Sequence, residues 1–75
     1  MVVALILNDV LTFILANMIT YDYENKQVEI HADSCVYKSG ASIDYDEYKD
    51  MTSKLLTDKY LDLSGNFFEI ERYDN

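Results

Sequence analysis

Three residues within one short stretch, His31, Asp33 and Cys35, are of the types that bind metal ions or act in nucleophilic catalysis. A tetrahedral metal site uses three or four such ligands, and this chain has one histidine and one cysteine in total. A Cys-His catalytic pair also needs a third group that orients the base and a loop that forms an oxyanion hole, and the sequence identifies neither. We therefore expect no metal, no cofactor and no catalytic residue, and we expect Cys35 to be a small buried apolar residue.

Carboxylates are the other residues that could do chemistry, since the chain has 14 Asp and Glu against 6 Lys and Arg, a net charge of -8. Paired carboxylates can hydrolyse a glycosidic bond, but only in a concave pocket that separates their pKa values. Gly40 and Gly65 are isolated, so no Gly-rich phosphate loop is present. The sequence thus predicts a protein that is not an enzyme, that nucleic acid and anionic membranes repel, and that a basic partner attracts.

The 75 residues predict a single domain over 1–75 with a thin core, because a chain this short buries only about 60% of its unfolded surface. Nearly half of the residues are hydrophobic and there is no proline, which indicates a folded chain. With one cysteine no internal disulfide can form, so a reducing, cytoplasmic location fits best.

The N-terminal run MVVALILNDVLTFILANMI is the segment most open to different interpretations. It lacks the basic region and cleavage site of a signal peptide, and Asp9 would cost about 2.5 to 3.5 kcal/mol at the centre of a membrane span. A helical wheel places its polar residues on one half, which predicts an amphipathic helix over about 2–18 and not a membrane segment. A strand at residues 2–7 is the competing interpretation.

The apolar arc of this predicted helix is wider than one small sheet would cover. It is either a large contribution to the core or the interface of a homodimer, which we expect. The predicted dimer interface consists of Val3, Leu7, Val10, Leu11 and Ile14.

The rest of the chain changes period twice. The stretch YDYENKQVEIHAD alternates polar and apolar residues and predicts a hairpin over about 19–33, and residues 34–39 either extend it or form a short strand. A helical period predicts a helix over about 44–61, in which Asp44 and Glu47 have the spacing of a capping box, and FFEIERYD predicts a strand over about 67–73. The expected fold class is α+β, with a small antiparallel or mixed sheet of three to four strands and two helices on one face.

If the apolar residues of the strands face the helices, the opposite sheet face is acidic. It would carry six carboxylates, relieved only by Lys26 and Arg72: Asp22, Glu24, Glu29, Asp33, Glu69 and Glu71. A secondary acidic cluster lies on the second helix, at Asp46, Glu47 and Asp50. Such a face could serve only to keep the protein soluble, but a field of one sign suits the attraction of a basic partner better.

With its stretches YDYE, IDYDEYKD and FFEIERYDN, the chain resembles the small acidic DNA-mimic proteins with which phages disable host proteins. The resemblance is one of composition along the whole chain and includes no diagnostic motif. It implies a cytoplasmic inhibitor that competes with DNA for a basic DNA-binding protein, such as the nucleoid protein HU, a nuclease or a polymerase. The alternative is an interaction module of the immunity or antitoxin kind, which binds its partner through the apolar N-terminal helix.

Overall fold

The structure is a computed structural model that describes residues 1–54 and 60–72. In these residues it has six strands and one helix, so the predicted sheet of three to four strands with two helices is wrong. The elements are β1 (Val2–Leu7), β2 (Val10–Leu15), β3 (Met18–Asp22), β4 (Gln27–His31), β5 (Cys35–Ser39), α1 (Tyr45–Ser53) and β6 (Leu61–Arg72).

The predicted helix over 2–18 is wrong, because this segment forms the antiparallel hairpin of β1 and β2. Asn8 and Asp9 both have positive φ, as a two-residue type I′ turn requires, and Asn and Asp tolerate that conformation better than other non-Gly residues. Both faces of the hairpin are apolar, so the sequence does not show the polar–apolar alternation that is typical of a strand. The amphipathic pattern on the helical wheel arises by chance. No helix in the described part of the chain has the length and apolar character needed to cross a bilayer.

All six strands belong to one mixed sheet in the order β2-β1-β6-β5-β4-β3. β1 and β6 are parallel, and every other pair is antiparallel. The two edge strands β2 and β3 are nevertheless joined by only Ala16 and Asn17, so the end of one and the start of the other are at most about 11 Å apart. The sheet is therefore strongly curled, and its two edges converge at this connection.

The remaining elements differ from the expected bounds mainly at the second helix. β3 and β4 form the expected hairpin, and residues 35–39 form a separate strand. α1 ends at Ser53 and β6 already begins at Leu61, while residues 55–59 of the predicted helix and residue 73 of the predicted strand lie outside the described residues. The predicted capping box is absent, because the Asp44 side chain makes no cap hydrogen bond and instead lies 3.8 Å from Lys26 Nζ.

The core lies on the concave side of the curled sheet, beneath α1 and the loop before it. Its buried apolar residues come from β1, β4 and β6, from the β2–β3 connection and from that loop: Val3, Leu5, Ala16, Val28, Ile30, Ile43, Leu61, Leu63 and Phe68. Ser39 is the one fully buried polar side chain among the described residues, and its Oγ accepts a hydrogen bond of 2.9 Å from the backbone N–H of Val28. Cys35 is buried, as expected.

Candidate protein-interaction surface

The sheet face that points away from the core, here the outer face, has an acidic half formed by β3 to β6. Lys38 stands opposite both Glu29 on β4 and Glu69 on β6, and residues that are opposite each other share a face. Asp22 stands opposite Gln27, which is two residues from Glu29 and therefore on the same face. The structure thus brings Asp22, Glu29 and Glu69 together on one face. The backbone of Glu71 lies opposite Val36 in the same register.

Lys38 is the residue of this face that the sequence analysis did not include. Its Nζ lies 3.7 Å from Glu29 Oε2, so the expectation that only Lys26 and Arg72 relieve the acidic strands is wrong. The signal was present in CVYKS, because a strand there with Tyr37 facing the core places Lys38 on the outer face. The acidic half is therefore a set of carboxylates around one central cation.

A hydrogen-bonded row crosses the acidic half from β4 to β3. The Thr20 hydroxyl lies 2.9 Å from His31 Nε2 and 3.4 Å from Glu29 Oε1. Together with the Lys38 ion pair, these contacts fix the position of the Glu29 carboxylate. A fixed carboxylate loses less conformational freedom when a partner binds.

Two other predicted members of the acidic face lie in turns. Glu24 lies in the turn between β3 and β4, and Asp33 lies in the turn between β4 and β5, where its Oδ1 accepts a hydrogen bond of 2.9 Å from Asn17 Nδ2. Both are exposed, so they border the acidic half without belonging to it.

Asp22 has a structural task in addition to its charge. Its carboxylate accepts hydrogen bonds from Asn25 Nδ2 at 2.8 Å and from the backbone N–H groups of Glu24 and Asn25 at 3.0 and 3.2 Å. The Asn25 side chain and backbone are the main reason that the pKa of Asp22 lies below the usual Asp value. The carboxylate therefore stays charged in mildly acidic solution.

The predicted secondary cluster, Asp46, Glu47 and Asp50, is exposed on α1. Asp46 and Glu47 lie in the first turn, where negative charge interacts favourably with the helix dipole. This cluster is on α1 and does not belong to the outer sheet face that carries the acidic half.

Four tyrosines connect the start of α1 to β3. Tyr21 and Tyr48 are partly buried, and their hydroxyls donate to the carbonyl oxygens of Ile43 and Ile19. Tyr23 is 68% exposed although its alternation with Tyr21 predicts the same face, because it lies in the turn after β3. Its ring centroid lies 5.1 Å from that of Tyr45 and 5.1 Å from that of Tyr21.

Lys49 Nζ lies 5.5 Å from the Tyr45 ring centroid, a cation-π distance. The pKa of Tyr23 lies above the usual value for tyrosine, and its side-chain hydrogen bond with Tyr45 is the largest cause. Exposed aromatic rings beside carboxylates can receive the cationic side chains of a partner.

The other half of the outer face, on β1, β2 and the start of β6, is apolar except for Asp62, which stands opposite Ala4. Val2, Ala4 and Ile6 stand opposite Leu15, Phe13 and Leu11, and Phe67 of β6 stands opposite Ile6. Most of these side chains are exposed: Leu15 to 74%, and Phe13 and Phe67 each to 58%. We call Val2, Ile6, Leu11, Phe13, Leu15 and Phe67 the apolar half.

The predicted dimer interface does not form one surface, because it was derived from a helix. Val3 is fully buried, and Leu7 and Ile14 are packed against the core. Val10 is exposed but shares a face with Leu7, and of the five predicted residues only Leu11 belongs to the apolar half.

The residues first considered for chemistry are not assembled into a site. Val36 stands opposite His31, so the neighbouring Cys35 has the opposite orientation and is buried. Within residues 1–54 and 60–72, no three His, Cys, Asp or Glu side chains are close enough to hold a metal ion. A shallow cavity of about 220 Å³ near the β1–β2 turn is lined by Glu69 and, among the described residues, by no other ionisable side chain.

Searches against protein-family models, curated proteins and solved structures found no match to this chain.

Proposed function

We propose that the protein is a non-catalytic binding protein whose acidic half engages the basic nucleic-acid-binding surface of another protein and competes there with DNA. The observation that carries this proposal is the strand register, which collects Asp22, Glu29 and Glu69 from three strands on one exposed face. These carboxylates come from distant parts of the sequence, so the acidic surface is a property of the fold. A net charge of -8 would speed the approach of any basic protein.

The chemistry of the expected partner follows from that of DNA. Duplex DNA carries about one negative charge per 1.7 Å of its axis, and proteins that bind it display Lys and Arg to match. Glu29 and Glu69 are two strands apart, which corresponds to about 10 Å across the sheet. A rigid sheet with carboxylates at this spacing can occupy several cationic side chains at once, as phosphates do. The nucleoid protein HU, a nuclease and a polymerase are partners of this kind.

The exposed rings of Tyr23 and Tyr45 support the same class of partner. Aromatic residues and arginine are both enriched in protein interfaces, and they pair with each other through cation-π contacts. Asp22 and Glu24 flank Tyr23 in the sequence, and Asp44 and Asp46 flank Tyr45. An arginine of the partner could therefore contact a ring and a carboxylate together.

The test is capture of the partner by the immobilised protein, followed by competition with duplex DNA. We expect DNA-binding proteins to be retained at low salt, to be released at high salt, and to be displaced by added duplex. The double variant Glu29→Lys/Glu69→Lys should lose this binding. The charge-matched control Asp9→Lys/Asp62→Lys, which alters exposed acids outside the acidic half, should retain most of it. Binding that is insensitive to salt and to duplex DNA would exclude the proposal.

A second candidate is an interaction module that binds its partner through the apolar half. In this candidate, the binding element is the outer face of the β1–β2 hairpin and not the predicted N-terminal helix. The exposure of Phe13, Leu15 and Phe67 favours this candidate. Changing Leu11 and Leu15 to Ser discriminates between the two candidates. Loss of partner binding in that folded variant, with the Glu29→Lys/Glu69→Lys variant unaffected, would favour the second candidate.

A further inference from the structure

Strand β2 is an edge strand whose own residues include none of the charges, prolines or bulges with which proteins usually protect an edge. Its sequence VLTFIL contains no charged residue and no proline, and its pairing with β1 is regular over the whole strand. Among the described strands it pairs only with β1. An apolar, uncharged edge with regular pairing pairs readily with another strand.

The opposite edge of the sheet is different. β3 ends in Asp22, and the Tyr48 hydroxyl of α1 donates to the carbonyl oxygen of Ile19 on β3 at 3.3 Å. A charge and a side chain from the helix thus cover part of this edge. Within residues 1–54 and 60–72, β2 is therefore the edge that is open for pairing.

The hairpin register determines which backbone groups of β2 are available. In a two-residue hairpin the residues that flank the turn, here Leu7 and Val10, exchange hydrogen bonds, and the pattern alternates along the strands. Val10, Thr12 and Ile14 therefore bond to β1. The N–H and C=O groups of Leu11, Phe13 and Leu15 point away from the sheet.

We infer that β2 pairs antiparallel with β2 of a second copy of this chain, about a two-fold axis at Phe13. In one register, every outward N–H and C=O group of Leu11, Phe13 and Leu15 forms a hydrogen bond with the second copy. This register places Phe13 opposite its own symmetry mate and Leu11 opposite Leu15 of the second copy. The two six-stranded sheets then become one continuous sheet. This dimer does not depend on the proposed function.

The side chains of the apolar half support a second copy as the occupant. Phe13 and Phe67 are each 58% exposed, which corresponds to roughly 200 Å² of exposed ring surface for the two, since a Phe buries about 150 to 250 Å². Leu11, Leu15 and Val2 enlarge this patch into the range of about 300 to 600 Å² that is typical of the largest patch on a monomer. Two-fold pairing of β2 places two such patches side by side.

Charge also favours a second copy over an unrelated partner. Two chains of net charge -8 repel each other unless they meet at an uncharged surface, and β2 has no charged side chain. A basic partner, in contrast, would find no carboxylate on β2 with which to pair. The dimer leaves the acidic half of each copy exposed.

The first test is the molar mass of the full chain in solution, measured by light scattering during gel filtration. We expect the mass of a dimer for the native protein and of a monomer for Phe13→Lys, because that variant brings two like charges together at the axis. The matched control Ile70→Lys, at an exposed apolar residue on another strand, should remain dimeric. A monomeric native protein, or a Phe13→Lys variant that is folded by circular dichroism and still dimeric, would overturn the inference.

The second test checks the register and does not depend on Phe13→Lys folding. In a Cys35→Ala background, Phe13→Cys should form a disulfide-linked dimer on mild oxidation, since residues opposite each other in a hydrogen-bonded pair have Cα atoms about 5.5 Å apart. Leu11→Cys alone should not, because its symmetry mate lies about 14 Å away along the strand. A mixture of Leu11→Cys and Leu15→Cys proteins should cross-link to each other. Cross-linking of Leu11→Cys alone, with none for Phe13→Cys, would exclude this register.

Discussion

Lys38 and Glu29 stand directly opposite each other on β5 and β4, with 3.7 Å between Nζ and Oε2, in the middle of the acidic half of the outer sheet face. Glu69 stands opposite Lys38 on its other side. Without this cation, Glu29 and Glu69 would repel each other across β5 with no positive charge between them. Lys38 therefore stabilises the fold and at the same time weakens the field that a basic partner would encounter.

Removal of the Lys38 charge should change the affinity for a basic partner and the stability of the fold in opposite directions. We expect Lys38→Gln to bind a basic partner about two- to five-fold more tightly and with a steeper salt dependence, because a partly exposed charge contributes up to about 1 kcal/mol. The variant should lose a similar amount of unfolding free energy. Isothermal titration and urea denaturation measure the two effects. Weaker binding by folded Lys38→Gln would mean that Lys38 contacts the partner.

The N-terminal hairpin can be distinguished from a helix by a matched pair of leucine truncations. Leu5 is fully buried, and Leu15 is 74% exposed. Leu5→Ala should cost about 2 to 5 kcal/mol of unfolding free energy, as is typical for a core leucine. Leu15→Ala should change it by at most about 0.5 kcal/mol in the monomer. Urea denaturation in the monomeric Phe13→Lys background makes the comparison, and equal losses would contradict the hairpin.

The turn between β1 and β2 should become more stable with glycine. Asp9 has a φ of 64°, a conformation that is unfavourable for residues with a Cβ and free of strain for glycine. Asp9→Gly gives an Asn-Gly turn and should raise the unfolding free energy by about 0.5 to 1 kcal/mol. Asp9→Val should lower it by more. If both variants were equally stable in a denaturation experiment, the turn type would be wrong.

The hydrogen bonds in the turn after β3 should make the stability of the fold depend on pH through the Asp22 carboxyl group, whose titration NMR can follow. Hydrogen bonds from Asn25 hold the pKa of Asp22 below its usual value in the folded state. The resulting stability is present above the unfolded pKa, about 3.9, and is lost as the pH falls through the lower folded pKa. Asn25→Ala should raise the pKa of Asp22 towards that of an ordinary Asp. An unchanged pKa would show that the Asn25 side chain does not contribute.

The buried hydroxyl of Ser39 should be essential for the pairing of β4 and β5. Ser39→Ala removes the acceptor of the Val28 N–H and leaves that donor buried without a partner. We expect a loss of about 1 to 3 kcal/mol of unfolding free energy. Faster hydrogen exchange of the Val28 amide would accompany the loss. Ser34→Ala, at an exposed position in the preceding turn, is the control and should be neutral.

Alternation was sufficient to predict those parts of the fold in which one face is polar. It predicted the β3–β4 hairpin and the shared face of Asp22, Glu29 and Glu69, because polar and apolar residues alternate from Ile19 to Tyr23, from Val28 to Asp33 and from Phe68 to Glu71. It failed for β1 and β2, since a hairpin that is apolar on both faces carries no period of two. The Asn8-Asp9 pair was the remaining signal, and a helical wheel does not take turn residues into account.

Other features depended on pairing between distant segments. The length of β6 and the strand order bring residues from both ends of the chain together, and no local pattern specifies which strands are neighbours. The position of Lys38 between Glu29 and Glu69 follows from that order. The outer-face position of Lys38 could thus be predicted from CVYKS, but its place between Glu29 and Glu69 could not.

The most direct test of the proposed function is displacement of a fluorescent DNA duplex from a captured DNA-binding partner, followed by fluorescence anisotropy. The account predicts that the native protein releases the duplex at low salt and that Glu29→Lys/Glu69→Lys does not. It also predicts that the charge-matched Asp9→Lys/Asp62→Lys protein still does. Equal displacement by all three proteins, or a ternary complex in which the duplex stays bound, would contradict the claim that the acidic half competes with DNA.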